Sequence, residues 1–205
     1  MALADNALTT IATCEAELSL TASAQDALLT RYINTASDQI ERYIGRKLYN
    51  GAAVVENIPG SGDALLFVSR TPLNSITSIV DASGNTVSSG DYSIWDADQG
   101  AIYNGSGWNH YKVSQTDYDR YVVTFDGGWV TPKQGGTRTL PFDIEGVCVD
   151  MVTIMWRQKG ADRTVQSESV LSTSVTYRQM MAGVTPSMMA VLDSYRRMDG
   201  LADIH

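Results

Sequence analysis

Apolar residues recur every three or four positions between residues 28 and 44, which is the spacing of one face of an amphipathic helix. Gly45 follows the last of them and is a typical residue at a helix C-terminus. The helix is predicted to begin at Ser23, because Ser23 and Asp26 have the spacing of a capping box with Asp in place of Glu. A shorter helix is predicted before it, ending near Leu18. The apolar positions of the long helix are Leu28, Leu29, Tyr32, Ile33, Ala36, Ile40, Tyr43 and Ile44.

The pattern changes between residues 51 and 138. Short runs rich in β-branched and aromatic residues alternate there with clusters of Gly, Ser, Asn and Asp, such as 60–63 and 81–85. Such clusters are turn signals, and together they predict a small antiparallel β domain. The predicted strands are Val54–Ile58, Leu65–Val68, Ile76–Val80, Tyr92–Trp95, Ala101–Tyr103 and Tyr121–Phe125.

Helical spacing returns at Pro141, a residue that the first turn of a helix tolerates. Gly160 is expected to end this helix, and a last helix is predicted from Thr185. Residues 161–184 are polar and rich in Ser and Thr, so they are expected to form a long loop, with a strand through 174–178 as an open alternative. The inward positions are Ile144, Val147, Cys148, Met151, Val152 and Met155 in the first helix, and Met188, Val191, Leu192 and Tyr195 in the last.

These patterns predict an α+β fold, a small helical bundle with an inserted antiparallel β domain. Residues 1–50 are the N-terminal helical part of the bundle, 51–138 are the inserted β domain, and 139–205 supply the C-terminal helices with the loop 161–184. The two helical parts are expected to pack together. Their shared core is predicted to contain Ile33, Ile40, Val147, Met151 and Leu192.

The net charge argues against nucleic acid as a binding partner. The chain of 205 residues has 15 Lys and Arg against 23 Asp and Glu, a net charge of −8, and therefore lacks the basic surface of a nucleic-acid-binding protein.

Cys14 and Cys148 lie far apart in apolar helical stretches and are expected to be reduced, buried thiols. The first fifteen residues contain Asp5 and Glu15 without a cationic start, so no secretory signal is expected. No run reaches the ~18 apolar residues of a membrane span.

The sequence contains no recognisable catalytic or metal-binding motif. His110 has Ser106 nearby, but the frame of a nucleophile elbow is absent around that serine. The segment 96–100 looks like the start of a calcium loop, yet its glycine comes one place early, and a turn between two strands is expected. The Met-rich segments are expected to be core or subunit contact surface. No catalytic residue, metal site or cofactor is therefore expected.

Several sequence strings, in their order along the chain, are similar to a known family. The segment 33–46 has the pattern Ile-x-x-Ala-Ser-x-x-Ile-Glu-x-Tyr-x-Gly-Arg, hereafter the α-string. It resembles the most characteristic string of the head–tail connector (adaptor) proteins of tailed bacteriophages. The family's usual Ala in the third helix is Gly146 here, which weakens that helix or allows close packing. Further matching strings are Thr71–Ile79, Tyr92–Tyr103, Val123–Trp129, Leu140–Ile144 and Glu168–Tyr177.

The resemblance implies a structural, non-enzymatic protein of the virion neck, at the head–tail junction, made in the cytoplasm of the bacterial host. Its partners would be the portal protein, a stopper or tail-completion protein, and other copies of itself in a ring of twelve. DNA would pass through the central channel without sequence-specific binding. An acidic protein suits this role because like charge keeps DNA from adhering. The shortest family members lack the β domain, so the resemblance assigns no role to it.

The C-terminal end carries the predicted contact with the portal or a neighbouring subunit. Apolar residues recur there beyond the point where the core of one subunit should end, and two arginines lie beside them near the negative end of a helix dipole. The predicted interface residues are Tyr195, Arg196, Arg197, Met198, Leu201 and Ile204.

Two other functions remain open on the sequence. The first is a different neck or tail-completion protein with the same order of elements. The second is a ligand- or carbohydrate-binding β module, suggested by the aromatic residues of the β domain, although aromatic residues on strands are more typical of a sheet core. Those residues are Tyr92, Trp95, Tyr103, Trp108, Tyr111 and Trp129.

Overall fold

A computed structural model describes residues 2–21, 25–109, 120–159, 167–170, 173–176 and 184–196 of the chain. The chain forms two compact units, a helical unit of Met1–Ile44 with Pro141–Arg196, and a β unit of Gly45–Leu140, of which residues 45–109 and 120–140 are described. The mixture of helices and antiparallel sheets confirms the predicted α+β class.

The helical unit contains the described helices of the chain and a two-stranded hairpin. The helices are α1 (Ile11–Glu17), α2 (Asp26–Ile44), α3 (Phe142–Arg157) and α4 (Pro186–Asp193). All four pack together, since α2 packs on α3, and α1 and α4 each pack on both of them. The predicted core residues Ile33, Ile40, Val147, Met151 and Leu192 are all buried.

Capping hydroxyls and a glycine mark three of the helix ends. The Thr10 hydroxyl accepts the Thr13 N–H at the start of α1 (3.2 Å), and the Thr185 hydroxyl accepts the Met188 N–H at the start of α4 (3.3 Å). Gly45 follows α2 with a φ of 81°, the left-handed conformation that glycine adopts without strain. Two predicted end signals, Ser23 of the capping box and Gly160, lie outside the described residues; α2 begins at Asp26 and α3 ends at Arg157.

The β unit contains two three-stranded antiparallel sheets with the orders β1-β6-β3 and β2-β5-β4. All six strands correspond to predicted runs, and the core lies among their inward residues, which include Ile79, Ile102, Val123 and Phe125. In β6 alternate residues are buried, as expected for a central strand with one face on the core. The strands are β1 (Gly51–Pro59), β2 (Leu65–Phe67), β3 (Leu73–Val80), β4 (Tyr92–Asp96), β5 (Ala101–Asn104) and β6 (Arg120–Gly127).

The prediction that residues 161–184 form a long loop is wrong in part, because two paired strands lie within this segment. Strands β7 (Ser167–Val170) and β8 (Thr173–Thr176) pair antiparallel. The alternative prediction of a strand through 174–178 corresponds to β8 alone. Strand pairing uses backbone hydrogen bonds, which almost every residue type can supply, so a polar segment without a hydrophobic period can still form a ladder.

Trp108 lies outside the strands but belongs to the core of the β unit. Its side chain is 1% exposed and belongs to the core cluster of the β unit. The indole N–H donates to the Ile102 carbonyl (3.2 Å), and the ring meets Tyr121 edge-on with centroids 5.0 Å apart. These contacts make Trp108 a core residue although it lies in a Gly-rich segment between strands.

Candidate assembly surfaces

The N-terminal segment lies along α2 and is held by polar residues of the α-string. Ser37 is buried, and its hydroxyl accepts the Leu8 N–H (3.1 Å). The Asn6 amide donates to the carboxylates of Asp38 (2.7 Å) and Glu41 (3.0 Å). Since Leu8 is fully buried, the chain before α1 is part of the folded helical unit rather than a free arm. The polar α-string positions therefore stabilise the N-terminal segment.

The last residues of the α-string also have structural contacts. The Tyr43 hydroxyl donates to Asp193 at the end of α4 (2.8 Å). In the β unit, the Arg46 guanidinium lies over the Trp129 ring, 5.3 Å from its centroid, and donates to the Thr71 hydroxyl. The matching strings 71–79 and 123–129 thus meet the α-string through Arg46, a contact the sequence alone did not reveal.

The first two residues of the predicted interface follow α4 and fold back onto the helical unit. The Tyr195 hydroxyl donates to the Asp143 carboxylate (2.8 Å), and the Arg196 guanidinium lies 5.8 Å from the centroid of the Tyr43 ring. Burial, together with the hydrogen bond to and the charge of Asp143, raises the pKa of Tyr195 to about 12. Arg196 is exposed. These contacts attach the two residues to the helical unit.

The remaining predicted interface residues are outside the described part of the chain, as is His110. The structure therefore gives contacts for Tyr195 and Arg196 and leaves the other four as sequence-based expectations. Those four are Arg197, Met198, Leu201 and Ile204.

Both cysteines are free and buried, as predicted. Burial is the main cause that raises the pKa of each thiol to about 12, and the charge of Glu145 acts in the same direction on both. The thiols therefore stay protonated at neutral pH, and neither is the thiolate that nucleophilic catalysis requires.

The described residues contain no group of three or more His, Cys, Asp or Glu side chains placed to hold a metal ion. Among the same residues, no helix is long and apolar enough to cross a membrane.

Trp95 on β4 and Tyr103 on β5 are not core residues, which corrects the expectation that aromatic residues on strands belong to the sheet core, whereas Tyr92 on β4 packs against that core. Trp95 is 68% exposed and packs against the ring of Tyr103, with centroids 5.6 Å apart. β4 is an edge strand, and a bulge between Ile94 and Asp96 breaks the alternation of inward and outward residues. The sequence carried one signal of this exposure, because Asp91 and Asp96 flank the run Tyr92–Trp95 on both sides.

Comparison with known proteins assigns the family. Residues 7–198 match the family model described as head completion protein. The chain belongs to the head completion protein family. This confirms the resemblance to head–tail connector proteins found in the sequence, and it gives the chain a structural role in head completion. No curated protein matches the chain in sequence.

Solved structures share the fold over nearly the whole chain. A chain from the neck of an empty gene transfer agent (GTA) particle, determined with C6 symmetry, matches with a TM-score of 0.61. A chain from the neck of the native GTA particle, determined with C12 symmetry, and one from the native GTA virion each match with a TM-score of 0.55. Each match is 17% identical and covers 98% of this chain and 95% of the other. At this identity the likeness establishes the fold.

Proposed function

We propose that this head completion protein is a neck adaptor that forms a ring of twelve copies under the portal, joins the capsid to a stopper or tail-completion protein, and lets DNA pass. The observation that carries the proposal is the match of the family model over residues 7–198. The likeness in fold to chains of a neck determined with C12 symmetry supports the ring and its number.

The charge of the chain fits a role around a DNA channel. With a net charge of −8, the protein repels phosphate groups instead of binding them. Binding of DNA to the channel wall would hinder its movement through the neck. A channel formed by acidic subunits therefore favours passage.

The C-terminal end is the proposed portal-docking element. Tyr195 and Arg196 are fixed to the helical unit by contacts with Asp143 and Tyr43, so the tail begins at a defined position. Arg196 and Arg197 lie just beyond the carboxyl end of α4, where the helix dipole favours cations. Arginine and tyrosine beside apolar residues are typical interface anchors, and the sequence that follows provides Met198, Leu201 and Ile204.

A chain that ends after Arg196 tests this assignment. The cut preserves the contacts of Tyr195 and Arg196, whereas a cut after Asp193 would remove them and confuse docking with folding. We expect the shortened chain to melt at the temperature of the full chain and to lose binding to purified portal rings in a co-sedimentation assay. In the full chain, Arg196→Glu with Arg197→Glu should weaken binding and reduce its dependence on salt.

Two results would count against the proposal. Normal portal binding by the shortened chain would move the docking surface elsewhere, for which the segment 161–184 is the next candidate. A full chain that forms no ring with the portal, seen by electron microscopy, would instead favour the other neck or tail-completion role.

A further inference from the structure

One side of helix α3 is exposed over its first turns. The exposed residues there, hereafter the Phe142 face, are Phe142, Asp143, Gly146 and Asp150. They share one side of the helix, because each of the others lies three or four positions from Gly146. The side chain of Phe142 is 81% exposed, more than any other large apolar side chain of the described residues.

Phe142 belongs to the string Leu140–Ile144, in which other residues have roles within the folded chain. Leu140 and Ile144 are core residues, and the Asp143 carboxylate accepts a hydrogen bond from another part of the helical unit. Burial, by contrast, does not account for phenylalanine at position 142. Aromatic residues are enriched at surfaces that bind other proteins, and this ring is available for such a role.

Gly146 leaves open space one turn away from Phe142 on the same side of α3. Apart from its own helix backbone and its chain neighbours, no atom lies within 4 Å of the place where a Cβ would stand. Glycine inside a helix lowers the stability of the fold, and no close contact at this position offsets that cost. Glycine does, however, let another chain approach the helix backbone closely. The Phe142 face therefore combines a protruding ring with an open position, which suits close packing against a partner.

The Phe142 face lies next to the proposed docking element at the C-terminal end. Asp143 follows Phe142 in the chain, and its carboxylate accepts a hydrogen bond from the Tyr195 hydroxyl (2.8 Å). Since consecutive Cα atoms are about 3.8 Å apart, the Phe142 backbone lies within roughly 10 Å of that hydroxyl. A standard interface buries about 800 Å² on each partner, a patch on the order of 30 Å across. A partner bound at Tyr195 and Arg196 therefore has the size needed to reach the Phe142 face.

We propose that the portal protein covers the Phe142 face, takes up the Phe142 ring in an apolar pocket, and packs closely on α3 at Gly146. Continuity selects the portal among the possible occupants, because the residue bonded to Asp143 is part of the element assigned to portal docking. The inference deepens the proposed function and rests on it. It extends the portal-binding surface from the C-terminal end to the first turns of α3.

The first test compares two substitutions of exposed apolar residues. Phe142→Ser removes the protruding ring, while Val55→Ser is the matched control, since Val55 is 62% exposed on strand β1 of the β unit. Both variants should melt within a few degrees of the wild-type protein. We expect Phe142→Ser to raise the Kd for purified portal rings at least tenfold, measured by co-sedimentation, and Val55→Ser to leave it unchanged.

The second test separates binding from folding. Gly146→Gln fills the open position with an uncharged side chain that favours a helix, so the variant should melt at or above the wild-type temperature. Its Kd for portal rings should nevertheless rise at least tenfold, because the partner can no longer approach the helix backbone. The control is Thr35→Gln, which adds the same side chain at an exposed position of α2 and should leave the Kd unchanged. A loss of binding without a loss of stability cannot come from misfolding.

Normal portal binding by either Phe142→Ser or Gly146→Gln would overturn the inference. If such a variant bound the portal normally but lost association with other copies of the chain, or with the tail-side protein, the face would belong to that partner instead. A wild-type chain that does not bind portal rings overturns the proposed function itself. Binding that is lost when the chain ends after Arg196, yet is unaffected by Phe142→Ser, overturns this inference alone.

Discussion

Gly146 occupies an exposed position inside helix α3, where the resemblance noted in the sequence leads us to expect alanine. No atom other than those of its own helix backbone and chain neighbours lies within 4 Å of the place where a Cβ would stand. The close-packing explanation for this glycine is therefore wrong for the folded chain. Its remaining effect is the entropic one, since glycine in a helix is less favourable than alanine.

We expect Gly146→Ala to raise the free energy of unfolding by about 0.5–1 kcal/mol, measured by urea denaturation. Gly128→Ala is the matched control and should destabilise the protein, because Gly128 has a φ of 97° and its Cβ would collide with the Tyr49 carbonyl. A Gly146→Ala variant less stable than the wild-type protein would show that the glycine meets a contact after all.

Tyr195 provides a prediction with a defined pH range. The pKa of its phenol rises from the ordinary value of 10.0 to about 12, so folding favours the protonated form. The stability from the bond to Asp143 is then fully present below about pH 10 and is lost as the pH rises through about 12.

Tyr195→Phe should therefore lower the free energy of unfolding by about 0.5–1.5 kcal/mol at pH 7. The difference from the wild-type protein should shrink as the pH rises above about 10. Urea denaturation of both proteins at a series of pH values measures it. A difference that is constant from pH 7 to pH 11 would mean that the phenol does not donate to a carboxylate.

At the scale of elements, α2 and α3 carry the buried faces that the sequence predicted. Ile40 on α2 and Met151 on α3 are each 1% exposed, and the two helices pack together. Truncation of either side chain to Ala should cost about 2–5 kcal/mol, from lost burial and the cavity that remains. Thermal melting against Thr35→Ala, an exposed position on α2, provides the comparison. Losses below about 0.5 kcal/mol at both buried positions would exclude this packing.

The elements that the sequence identified share one property. Their signals are local, because a period of three to four residues or a run of β-branched residues between turn clusters can be read from neighbours in the chain. The hairpin β7–β8 has no such signal, as its Ser- and Thr-rich strands lack a hydrophobic period. Backbone pairing formed it without one.

At the scale of the whole molecule, the β unit has the means to fold without the helices. The residues of its core cluster all lie between Ile58 and Phe125, within one continuous stretch of chain. We expect a fragment of residues 45–140 to unfold cooperatively in urea, with a free energy on the order of 5 kcal/mol. In a fragment with Trp95→Phe and Trp129→Phe, the fluorescence of the buried Trp108 reports the transition. A fragment with the emission of a fully exposed tryptophan would show that the β unit depends on the helical unit.

The sequence by itself determined the α+β class, the boundaries of most helices and strands, the buried faces and the family, because periodicity, turn residues and ordered strings are properties of neighbouring residues. The tertiary structure alone decided which polar residues of the α-string bind the N-terminal segment, since Ser37 and Leu8 meet only after the chain has folded. It also decided that Trp95 faces outward and Trp108 inward. Both are tryptophans among turn residues, and their burial depends on strand order and on a bulge in β4, which are set by contacts between distant parts of the chain.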